Sequence, residues 1–123
     1  MKYIMLLVFT LSGYASAHEW TPTYPQLRPS FVPKIYTTQM TLFNAREDVN
    51  YYEIEVLDAN MEPMDFATPR RIIEVEHTKK VKVDIYIREQ DKDKAVYICS
   101  KSKLLAGKNT ATVVSSRICS KLK

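Results

Sequence analysis

The sequence has 123 residues, with 18 Lys and Arg against 14 Asp and Glu and a formal net charge of +4. That length suits a single modest hydrophobic core rather than a multidomain enzyme. Acids and bases are interspersed, and no basic stripe is interleaved with aromatics, so the composition argues against nucleic-acid binding.

Read in chain order, the first residues do not belong to a fold. Lys2 gives a positive start, Tyr3 to Leu11 is a short apolar run, and Ala15-Ser16-Ala17 is a small-x-small cleavage signal. The run is shorter than the roughly 20 apolar residues that span a bilayer. Residues 1–17 are therefore expected to be a secretory signal peptide cut before His18, with an uncleaved anchor as the alternative. No later segment is apolar enough to cross a membrane.

Residues 18–33 hold four of the six prolines. Proline fixes φ and removes a backbone donor, so 18–26 reads as an extended N-terminal arm and 27–123 as the domain proper. From there the hydrophobic period is two. In Tyr51 to Leu57, Tyr52, Ile54 and Val56 alternate with Glu53 and Glu55. In Lys80 to Arg88, Val81, Val83, Ile85 and Ile87 alternate with Lys82, Asp84 and Tyr86. Thr38 to Phe43, Arg71 to Glu76, Ala95 to Lys101 and Thr110 to Lys121 also suit strands. Polar, turn-forming runs separate them at 44–50, 58–63, 89–94 and 107–109. The expected fold class is all-β, an immunoglobulin-like sandwich of about seven antiparallel strands.

Residues that carry chemistry are sparse. The only histidines are His18 and His77, and no nucleophile elbow or glycine-rich phosphate loop is present. The pairs Glu53/Glu55 and Glu74/Glu76 fall on wet strand faces with nothing converging on them, so no enzymatic activity is expected. A new N-terminus at His18 could chelate copper through its α-amino group and imidazole. Without further ligands, a plain solvated terminus and no metal or other cofactor is the expectation. Cys99 and Cys119 are the only cysteines, and in an exported chain an even count suggests a disulfide.

Four landmarks in order carry a family resemblance. They are Leu27-Arg28-Pro29-Ser30-Phe31, Phe43-Asn44-Ala45 followed by Tyr51 to Val56, Ala67-Thr68-Pro69 leading to Val75, and the pair Tyr97 to Lys101 and Ile118 to Leu122. Together they resemble the N-terminal immunoglobulin-like domain of the periplasmic pilus chaperones of the chaperone–usher pathway. The resemblance implies a disulfide joining Cys99 and Cys119 across the last two strands. It implies that Arg28 and Lys121 grip a partner's terminal carboxylate, and that Thr112, Val114 and Ser116 lend side chains to an incomplete partner sandwich by strand addition. The implied function is a periplasmic assembly chaperone. Its partner would be a pilin-like subunit with an incomplete sandwich, along with an usher or a second chaperone-like subunit. The alternative is a single-domain structural or adaptor component of an envelope, phage or conjugation assembly.

Overall fold

The computed structural model describes residues 18–103 and 116–123. The expected signal peptide, Thr112 and Val114 lie outside the described residues. Nine strands form: β1 Glu19–Thr21, β2 Arg28–Pro29, β3 Ile35–Phe43, β4 Tyr51–Leu57, β5 Pro63–Met64, β6 Ile72–Glu74, β7 Lys80–Arg88, β8 Tyr97–Lys103 and β9 Arg117–Lys121. One short 3₁₀ turn, Glu89–Asp91, follows β7.

The strands make two antiparallel sheets packed as a sandwich. In the first, β7 pairs with the whole of β3, while β1 and β2 take successive stretches of β3's other edge. In the second, β8 lies between β4 and β9, and β5 and β6 share β4's far edge. Because β1/β2 and β5/β6 each divide one edge, nine strands fill seven positions, in line with the strand count read from the sequence.

The two-residue alternation sets which side chains meet inside. Met40, Leu42, Val83, Ile85 and Ile87 come from the first sheet, and Tyr52, Ile54, Val56 and Ile98 from the second. Burying each such side chain stabilises the fold by about 1.5–3 kcal/mol relative to leaving it in water. Trp20 of the proline-rich arm also enters this core and donates its indole N–H to Ile98 O across the sandwich at 3.0 Å. The arm is thus a working edge of the fold and not a tether.

One end of the sandwich is organised by Asn44, which is fully buried where β3 ends. Its Nδ2 donates to Val49 O and Val75 O, both at 2.7 Å, and its Oδ1 accepts from Arg46 N at 2.9 Å and the Tyr52 hydroxyl at 2.5 Å. Its backbone N–H reaches Lys79 O, and its carbonyl accepts from Thr78 N. One amide therefore ties the β3–β4 loop, β4 and the β6–β7 connection. Substituting Asn44→Ala strands buried carbonyls and the Tyr52 hydroxyl without partners. It should cost about 3 kcal/mol, as breaking a buried network does, read as a lowered urea midpoint with an unchanged m-value.

Candidate functional site

The feature with most functional content is the outer edge of β9. This strand pairs with β8 through Ile98↔Ser120, Cys99↔Cys119 and Ser100↔Ile118, and no strand pairs with its other edge among the described residues. The Lys121 N–H points away from β8, because it donates to Thr23 O at 3.1 Å, and the Lys123 N–H donates to Pro25 O at 3.0 Å. Hydrogen-bonding direction alternates along an antiparallel strand, so the N–H groups of Cys119 and Arg117 face the same outer side as that of Lys121. The proline-rich arm covers the last part of this edge, and β1 runs beside β9; among the described residues no strand is paired with Arg117 to Cys119.

The outer face of the same sheet fixes β9 in place. Cys99 and Cys119 form a disulfide between directly opposed residues with Cα atoms 4.0 Å apart. Beside it, Arg117 Nε donates to Glu55 at 3.1 Å, and Lys103 Nζ lies 3.2 Å from Glu53. The two glutamates read from the sequence as wet surface are in fact half-buried ion-pair partners of this sheet. Such partly exposed pairs contribute little stability each, and their role here is to align neighbouring strands.

Arg28 and Lys121 are not brought together. Arg28 stands opposite Thr37 on β3, whose neighbours at even positions, Met40 and Leu42, point into the core. It therefore lies on the outer face of the first sheet. Lys121 stands opposite Tyr97, in phase with Cys99 and Cys119, on the outer face of the second sheet. The period of two that builds the sandwich puts the two cations on opposite sides of it. Arg28 shares a cleft with Lys123 instead. Both line an open cleft of about 580 Å³ together with Tyr24, Gln26, Gln39 and Asp84. Phe31, three residues after Arg28, is fully exposed at the tip of the β2–β3 hairpin.

Ser116 also departs from its expected role. Its N–H donates to Ser102 Oγ at 2.8 Å, and its carbonyl accepts from Ser102 N at 2.8 Å. Its hydroxyl lies 3.2 Å from His18 Nδ1. It faces the interior, engaged with its own sandwich.

His18, expected as a solvated terminus, is 3% exposed. Its Nε2 sits 2.8 Å from Ser100 Oγ and 3.3 Å from Ser100 O, and its ring lies 4.7 Å from that of Tyr52. Nearby, Arg46 donates to Asp48 through Nε at 2.8 Å and Nη2 at 2.6 Å, and through Nη1 to Ser102 Oγ at 3.4 Å. The guanidinium holds the Asp48 carboxyl below its ordinary value. Burial pushes the Tyr52 phenol up to about 12, so it stays a hydrogen-bond donor throughout the physiological range. Among the described residues, no group of three or more His, Cys, Asp or Glu side chains is arranged to hold a metal ion.

Comparison of the chain with family models, with curated proteins and with solved structures gives no match.

Two outcomes follow from this geometry. Replacing both cysteines by alanine releases a 20-residue separation in the unfolded chain and should cost about 3 kcal/mol, measured by urea denaturation, with peptide mapping of the wild type showing Cys99 linked to Cys119. Arg28→Ala and Lys123→Ala, at the rim of an open cleft, should each leave the melting temperature within a few degrees of wild type by calorimetry, as surface changes away from buried networks do.

Proposed function

We propose that this protein is an exported assembly chaperone of the pilus-chaperone type, holding a subunit with an incomplete β-sandwich by adding the edge of β9 to it. The observation that carries the reading is the outer edge of β9 at Arg117 to Cys119, which no strand pairs with among the described residues. An extended partner segment there gains main-chain hydrogen bonds, and the flanking side chains select among segments. The disulfide and the Arg117–Glu55 pair support this by holding the edge rigid before the partner arrives, which lowers the ordering cost of binding. The cleft between Arg28 and Lys123 opens beside the arm that caps this edge. A partner's terminal carboxylate would find two cations there, in place of the Arg28–Lys121 pair that the resemblance implies.

The decisive experiment separates the edge from the fold. Arg117→Pro removes an N–H that faces away from β8, which an edge strand tolerates. Ile118→Pro removes one that β8 uses. With a photo-crosslinker at Lys121 in the native cell envelope, the expected adduct is an exported subunit whose own sandwich lacks a strand. Arg117→Pro should abolish that adduct while keeping the melting temperature, whereas Ile118→Pro should lower the melting temperature itself. An adduct that persists in Arg117→Pro overturns strand addition at this edge. An adduct to a permanent component of a purified assembly replaces the chaperone reading with that of a structural adaptor.

A further inference from the structure

We propose that His18 is a proton-operated latch: its neutral imidazole fastens β1 to β8 and to the start of β9, and protonation of that ring loosens both attachments. The inference is independent of the chaperone reading, since it rests only on the surroundings of the imidazole.

Both ring nitrogens are committed. Nε2 faces Ser100 O at 3.3 Å, which can only accept, and Ser100 Oγ at 2.8 Å, which accepts as readily as it donates; the latch takes the tautomer with the proton on Nε2, which serves both oxygens. Nδ1 is then the acceptor, and the donor within reach is the Ser116 hydroxyl, 3.2 Å away and closer to the ring than to Ser102 Oγ at 3.4 Å. This arrangement joins residue 18 to residues 100 and 116, which otherwise belong to the opposite sheet and its edge strand. A second proton on the ring turns Nδ1 into a donor aimed at a hydroxyl that was itself donating. Ser116 must then rotate, and its alternative acceptor, Ser102 Oγ at 3.4 Å, already receives the Ser116 N–H and Arg46 Nη1.

The charge is as poorly accommodated as the proton. From β8 the imidazole meets Ser100, with Ser102 beyond it; from β9 it meets Ser116; from β4 it meets the Tyr52 ring. From the β3–β4 loop it feels the Arg46 guanidinium, a fixed positive charge whose carboxylate partner, Asp48, is already engaged in two hydrogen bonds. On β1 itself, Glu19 is exposed and points away. No carboxylate among the described residues hydrogen-bonds the ring. A chain cut before His18 would add an α-ammonium on the same residue, a further positive charge.

Burial outweighs the opposing hydrogen bond to the Ser100 carbonyl and, with a smaller push from the Arg46 charge, holds the imidazole below its ordinary value of 6.5. The folded state then resists a proton that the unfolded or locally opened state accepts. The latch is at full strength above pH 6.5, weakens as pH falls through that value, and levels off below the folded-state value.

The test follows imidazole nitrogens and amide exchange in the purified protein between about pH 7.5 and 5. At the upper end, nitrogen shifts should show the Nε2–H tautomer, and His18 should titrate below 6.5. Exchange protection of the β1 and β9 amides should fall by up to about tenfold per pH unit over that window, the limit for one linked proton. The same loss should appear in His77→Gln, which removes the surface histidine, and disappear in His18→Gln, whose amide cannot titrate. A His18 titration at or above 6.5 overturns the proposal. So does a pH dependence of β1 and β9 that survives in His18→Gln or vanishes in His77→Gln. Should His18→Gln fail to fold, the titration of the wild-type ring and the confinement of its exchange loss to β1 and β9 decide the matter.

Discussion

A buried amide with every valence filled is the constraint on which this sandwich depends. Asn44 sits where the first sheet must hand the chain to the second, a place where backbone groups leave a ladder with nothing regular to replace it. Each of those groups would carry a desolvation cost if left alone. Asn44 answers three chain segments at once, and the Tyr52 hydroxyl completes the set. An apolar residue of equal volume would fill the space and leave the carbonyls of Val49 and Val75 without donors. Polar residues in cores are often costly; this one is needed because the loops around it have backbone to satisfy.

The same end of the molecule shows how the rest is joined. Tyr52 serves Asn44 through its hydroxyl and His18 through its ring face, so the loop network and the N-terminal strand share one side chain. Two residues further along β1, Trp20 crosses the sandwich to the carbonyl of Ile98. The arm is held at alternate residues, each reaching β8, because a strand presents every second side chain to the same side. Proline-rich sequence then leads the chain out to cover the end of β9. The N-terminal segment thus contributes to both sheets while pairing as a strand with only one.

Local pattern made much of this legible. The alternation in Tyr51 to Leu57 and Lys80 to Arg88 is strong because one face of each strand is dry, and the structure buries the residues that alternation selects. Short pieces such as Pro63–Met64 were not readable, since two residues carry no period. The resemblance pairs Arg28 with Lys121, but the face each occupies depends on strand register, which the short motifs around them do not carry. The burial of His18 is illegible for a different reason: its partners lie 82 and 98 residues away, and nothing in its own neighbourhood speaks of them. A signal did exist on the other side. Ser100 and Ser102 continue the core-facing phase set by Ile98, and hydroxyls in a dry phase call for a polar group arriving from elsewhere in the chain.

The crosslink on the outer face of the second sheet has a consequence for whatever meets β9. A strand held only by backbone ladders can slide by two residues and keep its inside and outside faces, at the loss of one rung. The bond between Cys99 and Cys119 forbids that slide, because it names one residue on each strand as permanent neighbours. The edge therefore behaves as a ruler with an immovable zero mark. Any segment laid along it is measured from a fixed origin, so a sequence out of step by a single position turns its pockets' side chains the wrong way. If β9 takes a partner strand as proposed, oxidation of two thiols, one of them in the edge itself, would decide which sequences can be added there.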